Sequence, residues 1–194
     1  MGDYGNVGIN AGYARLNARD YGKIGLEGSL KKELDKNPNI GYTLGGNASA
    51  LIGKKAGINA GVYAGMDFGT STCTELNLGI IGDYTKGFDK NNLTDLDSKE
   101  SLKAGGSIGF TRNICCDEGR KLKMALTGGA DFHSVPEINN GQIVKSNKVS
   151  PFVGSNIEYS QQINDKGHQL VFGGKCSITK NGATYGEASI GYRF

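Results

Sequence analysis

The sequence predicts an all-β protein, an antiparallel up-and-down transmembrane β-barrel of about ten strands that occupies residues 1–194 as a single domain. Three observations carry this reading. Apolar residues alternate with small, polar or charged ones along nearly the whole chain, and a side-chain period of two belongs to a strand. Glycine fills 32 of the 194 positions, more than twice the usual share of about 7%. Its spread through every segment disfavours helix, where each glycine costs about 1 kcal/mol relative to alanine. No apolar run approaches the roughly 20 residues a membrane helix needs, so a spanning structure has to be a closed barrel.

Taken in order, the alternating segments fall near 4–16, 20–31, 38–52, 55–68, 73–86, 101–113, 120–134, 148–161, 168–180 and 183–194. Each is long enough to cross a bilayer as a tilted strand, which takes roughly 9 to 11 residues. The fourth places Ala56, Ile58, Ala60, Val62, Ala64, Met66 and Phe68 on one face, against Gly57, Asn59, Gly61, Tyr63, Gly65 and Asp67. The last does the same with Ala188, Ile190, Tyr192 and Phe194 against Glu187, Ser189, Gly191 and Arg193. An even number of strands returns both termini to one side, as in bacterial single-chain barrels. Asn140-Gly141 and Asn181-Gly182 suit type I′ hairpin turns. The segment 87–100, rich in Asp, Asn and Lys, reads as a solvated loop, and 134–146 as a hairpin continuing past the membrane. Pro151 sits awkwardly inside the eighth segment, because a closed barrel has no edge strand to absorb a missing donor. The strand is therefore expected to begin later or to carry a bulge.

Alternation alone does not say which solvent each face meets. The polar face carries Lys23, Glu27, Asp67, Glu75, Asp83, Lys103, Lys121, Lys123, Asp131, Glu158, Lys175 and Glu187, which suits a wet lumen. The aromatics on the apolar face discriminate better. If the first strand runs outward, Tyr42, Phe68, Phe110, Tyr159, Tyr192 and Phe194 lie toward the periplasmic strand ends, and Tyr13, Tyr84 and Phe132 toward the opposite ends. Paired aromatic girdles flank the apolar band of a membrane barrel, whereas a soluble core would bury its aromatics at mid-strand. Phe172 is the exception to the girdles. A soluble glycine-rich sheet or fibre subunit is the alternative.

The formal net charge of +3, with both signs interspersed, leaves no footprint for nucleic acid. The N-terminus, MGDYGNVGIN, has no basic start or apolar stretch, so an exported protein is represented here by its mature part. Among four cysteines no metal-ligand spacing occurs, and neither metal nor cofactor is expected. Cys73 opens the fifth strand and Cys115 closes the sixth, which makes a disulfide from Cys73 to Cys115 or Cys116 reasonable in an oxidising compartment. Cys176 falls on the apolar face.

The chain ends in Glu187-Ala188-Ser189-Ile190-Gly191-Tyr192-Arg193-Phe194. This resembles the C-terminal signal of bacterial outer-membrane barrels, a polar residue and glycine followed by alternating hydrophobics and a terminal aromatic. Glu187, Tyr192 and Phe194 match it, while Ser189 stands where glycine is usual. The resemblance, to small opacity-type surface barrels, implies a bacterial outer-membrane location. Its implied partners are membrane lipid, the barrel assembly machinery and other envelope proteins. The role expected is non-enzymatic: structural, surface-interaction or minor pore, with a narrow lumen, the alternative being a small channel. Phe132-His133-Ser134 resembles the His and Ser of outer-membrane lipid A deacylases in residue types only. The spacing differs, and an ordinary strand-end histidine is the simpler reading.

Overall fold

The computed structural model describes residues 4–16, 19–34, 37–53, 56–71, 73–88, 100–114, 119–139, 142–180 and 184–194. These residues form the strands β1 (Tyr4–Leu16), β2 (Arg19–Leu34), β3 (Asn37–Ile52), β4 (Ala56–Ser71), β5 (Thr74–Phe88), β6 (Glu100–Asn113), β7 (Arg120–Asn139), β8 (Gln142–Gln162), β9 (Gln169–Thr179) and β10 (Thr184–Arg193). Each pairs antiparallel with its chain neighbours. β10 returns to β1 in the register Gly8↔Arg193 through Leu16↔Tyr185, which closes the barrel. Reciprocal backbone bonds between Val7 and Phe194, at 3.2 and 3.0 Å, extend that seam to the last residue. The all-β, ten-stranded, up-and-down reading therefore holds.

The strand ends explain themselves locally. At the end of the barrel that carries both termini, β8 and β9 are joined by a turn in which Asn164 Oδ1 accepts from the backbone N–H groups of Lys166 and His168, both at 3.1 Å. Gly167 there adopts φ 84°, a left-handed conformation that suits glycine. At the opposite, distal end the two Asn-Gly turns and most of the 87–100 loop lie outside the described residues.

The eighth strand departs from expectation. It begins at Gln142 rather than near 148 and has no bulge at Pro151. Pairing of β7 with β6 stops at Ser101↔His133, and pairing of β8 with β9 starts at Phe152↔Thr179, so residues 134–147 form a two-stranded ribbon rising beyond the barrel wall, with 148–151 joining it to the wall along β7. Pro151 lies where the ribbon leaves the wall. Its carbonyl accepts from the Lys180 N–H at 3.0 Å, so its backbone polar side faces the end of β9, where the ladder stops and a missing N–H disrupts little.

Inward glycines let adjacent strands pack closely. A Cβ on Gly129 would lie 2.2 Å from the Ala104 carbonyl oxygen, and one on its cross-strand partner Gly105 would lie 2.1 Å from that of Gly128. Backbone cannot move aside as a flexible side chain can. Gly129→Val is therefore expected to cost about 2–3 kcal/mol, as overpacking does, whereas Gly87→Ala, with nothing within 4 Å of the added carbon, is silent. The temperature at which the compact, unboiled form is lost on SDS gels measures both.

Candidate functional site

All twelve charged residues predicted for the polar face point into the barrel, and the lumen they fill has three tiers. Among the described residues the distal tier is filled by side chains. Ala14, Tyr21, Leu51 and Tyr185 form a buried cluster contributed by β1, β2, β3 and β10. Beside it the Lys23 ammonium meets Glu187 Oε1 at 2.6 Å, and the Tyr185 hydroxyl donates to Glu187 Oε2 at 2.5 Å. Lys103 crosses from β6, donating to Ser177 Oγ at 2.6 Å with its ammonium 5.6 Å from the Phe152 ring centroid and 5.7 Å from that of Tyr185. The opposite wall is filled by polar groups: Asn59 donates to Asp83 at 2.7 Å, Lys175 pairs with Asp83, and Ser101 donates to Asp131 at 2.6 Å.

The middle tier is open. Its cavity of about 300 Å³ is lined by Tyr63, Asn47, Ser107, Thr127, Asn156, Lys123 and several glycines. Toward the terminal end, charges close ranks again. Arg193 forks onto both Glu158 oxygens at 2.8 Å and reaches Glu27 at 2.7 Å, joining β10 to β8 and β2 across the lumen. Lys31 meets Glu75 at 2.7 Å and Asp67 at 3.9 Å, and Asp67 also accepts from Asn77 at 2.6 Å. Lys121 lines the pocket of about 120 Å³ at this end.

Sequence reasoning did not single out Arg193, Lys31 or the inward aromatics Tyr21, Tyr63, Phe152 and Tyr185. The signal was present in their phase: Tyr21 shares parity with Lys23, Phe152 with Glu158, and Tyr185 with Glu187.

The exterior inverts the usual arrangement. Val62, Ile80, Leu126 and Val153 are 63% to 68% exposed, while the inward Lys23, Asp67 and Asp131 are 3% to 7% exposed. So much contiguous apolar surface is untenable in water and is what hydrocarbon selects. This is a transmembrane β-barrel. Its predicted girdle aromatics all sit on the outward face. Near the terminal end Tyr159 packs against Phe172, with ring centroids 6.4 Å apart, so Phe172 extends that belt rather than interrupting it. Tyr192 packs against Phe194 at 5.9 Å and edge-on against His168 at 5.6 Å. At the distal rim the Tyr84 hydroxyl donates to Glu100 at 2.7 Å, and that of Tyr13 to Asp20.

The histidines stay apart, as their places in the map imply. His133 Nδ1 lies 3.3 Å from the Asp131 carbonyl oxygen, and Ser134 points to the other face, donating to Asn147 at 3.0 Å. Neighbouring strand residues cannot combine as nucleophile and base. Cys73 is disulfide-bonded, and its carbonyl accepts from the Asn113 N–H at 2.8 Å where β5 and β6 end together. Cys115 and Cys116 lie outside the described residues. Cys176 is a free thiol on the outer face, 3.2 Å from Ser155 Oγ.

No family model and no curated protein matches the chain. Among solved structures, the β-domain of the Bordetella autotransporter BrkA is similar at 13% identity and TM-score 0.49, covering 100% of this barrel and 99% of that chain. Neisserial surface protein A is similar at 13% identity and TM-score 0.41, covering 100% and 96%. The ferric enterobactin receptor PfeA of Pseudomonas aeruginosa is similar at 8% identity and TM-score 0.49. It covers 92% of this barrel, which spans only 31% of the receptor chain.

The Arg193 fork is a partly buried ion cluster, with side chains 17% to 29% exposed. Arg193→Ala strands two carboxylates and is expected to cost about 2–3 kcal/mol, slightly below the range for a fully buried pair because the site is partly wet. Arg193→Lys keeps the charge without the fork and recovers part of the loss. Urea unfolding in detergent micelles reads both variants.

Proposed function

We propose that the protein is a bacterial outer-membrane barrel that serves as a closed anchor, holding the β7–β8 ribbon and the neighbouring distal loop at the cell surface for interaction with other molecules. The observation that carries this reading is the shut distal tier. With Tyr21, Leu51, Phe152 and Tyr185 all under 8% exposed and Lys103 lodged between two of the rings, no wide path for solute passes that end. Narrowness follows from strand number as well, since a barrel near eight strands is just wide enough for its own side chains to fill. The ribbon is the counterpart: six residues of β8, from Gln142 to Asn147, pair with the stretch of β7 beyond its contact with β6 and project from the rim. The match of Glu187, Tyr192 and Phe194 to a C-terminal assembly signal supports delivery to the outer membrane by the barrel assembly machinery.

Purified protein in planar bilayers is expected to give no steady conductance steps, and well-resolved steps would favour the small-channel reading instead. For the surface assignment, Ser146→Cys in a Cys176→Ser background should react with a membrane-impermeant maleimide on intact cells where the Cys176→Ser parent, which keeps Cys73, Cys115 and Cys116, does not. Labelling only after the outer membrane is breached would reverse the orientation.

A further inference from the structure

Beneath the shut tier the middle of the lumen holds space that packing alone does not explain. We infer that this chamber is a blind binding pocket, reached from the end that carries both termini, for a small uncharged polyhydroxylated solute of monosaccharide size. The inference goes beyond the anchor reading and rests on it only for the closed distal end.

Size comes first. About 300 Å³ is roughly ten waters' share of liquid volume and sits at the lower limit of small-molecule pockets. The chamber is kept open by construction. The Tyr63 ring lies flat along the wall of β4 and β5, because a Cβ on Gly65 would fall 2.1 Å from its hydroxyl and one on Gly79 would fall 2.6 Å from its ring. Side chains at those two positions would push the ring into the lumen.

The route in differs between the two ends. Distally the section is filled by the apolar and aromatic cluster together with the paired polar groups beside it, which leaves no room for a solute. Toward the termini the chamber shares Thr43, Asn77, Lys123 and Arg193 with the next pocket, so a solute entering there passes the Arg193 and Lys31 ion clusters, polar groups that must part to admit it, rather than an apolar barrier.

The chemistry of the lining selects the class. Its strong charges already have partners: Arg193 holds Glu27 and Glu158, and Lys175 holds Asp83. Lys123, whose ammonium is 5.4 Å from the Tyr63 ring centroid, has Glu158 as its cross-strand neighbour. A charged solute would have to break these pairs. The neutral groups are the ones left with capacity. The Tyr63 hydroxyl and the Asn156 Oδ1 are buried without a hydrogen-bond partner among the described residues. Asn47 is on the inward face yet exposed to the cavity, and the hydroxyls of Ser107 and Thr127 lie close by. Buried donors and acceptors without partners are costly; Asn47, Ser107 and Thr127 line the chamber as they stand, and a ring of ligand hydroxyls, each both donor and acceptor, would satisfy them together with the Tyr63 and Asn156 groups once those side chains turn from the wall toward it.

Equilibrium dialysis of the detergent-solubilised full chain with radiolabelled glucose and myo-inositol tests the pocket, with glucose 6-phosphate and lysine as charged comparators. The expected result is saturable, one-to-one uptake of at least one neutral probe, with the charged comparators at least tenfold weaker. Ser107→Phe should abolish uptake by filling the chamber, and Tyr63→Phe should weaken it severalfold. Both variants must keep the heat-sensitive compact band, which separates loss of the pocket from loss of the fold. No saturable uptake of either neutral probe, uptake unchanged in Ser107→Phe, or equal uptake of the charged comparators would each overturn the inference. A conducting barrel in bilayers would instead overturn the closed distal end, so the two failures are distinguishable.

Discussion

Everything in this molecule depends on the seam between β1 and β10. In hydrocarbon no water is available to an unpaired backbone group, and each such group costs several kcal/mol. A ten-stranded sheet with a free edge would therefore be untenable where a closed one is stable. Pairing from Gly8↔Arg193 to Leu16↔Tyr185, extended by Val7 and Phe194, removes that edge. Closure in turn separates an inside from an outside, and the period-two pleat then sends every second residue to each. The sorting of charge inward and apolar bulk outward follows from that single topological fact.

The lumen spends its polar residues unevenly. At the terminal end Arg193, placed on the strand that completes the barrel, gathers Glu158 from β8 and Glu27 from β2. The same residue that lines the seam thus ties it to both flanks. At the distal end the inward positions turn aromatic, and Lys103 threads between Phe152 and Tyr185 with its charge over both rings. Its partly buried ammonium rests on ring faces and the Ser177 hydroxyl. Between these tiers glycine supplies the room that larger side chains would consume.

Much of the fold was legible because the strand period coincides with the sheet pleat over long runs. In β4 and β10 every residue named to a face is on that face, and the girdle positions follow from the same parity. Boundaries were less legible where lipid no longer imposes a pattern. β2 runs on through Lys32 to Leu34, and β8 starts at Gln142, because outside the bilayer a hairpin needs only backbone pairing. Pro151 read as a defect since the sequence could not say that the neighbouring strand ends there. The lumen was legible as a list of charges and not as a set of partners. Arg193 and Glu27 lie 166 residues apart, and strand order around a barrel, not spacing along the chain, decides who meets whom. The plug was missed for a related reason: its aromatics fall in the polar phase of their strands, where a reader looking for charge passes over them.

The assignment of faces is the claim on which the rest stands, and accessibility along β7 tests it most directly. Single cysteines carrying a nitroxide, placed at each position from 124 to 132 in a background with all four native cysteines replaced by serine and reconstituted in lipid vesicles, report collision with oxygen and with a water-soluble nickel complex. The account predicts strict alternation, with oxygen favoured at Met124, Leu126, Gly128, Ala130 and Phe132 and no such preference at the residues between. Alternation in the opposite phase, or uniform access of the nickel complex at all nine positions, would contradict it.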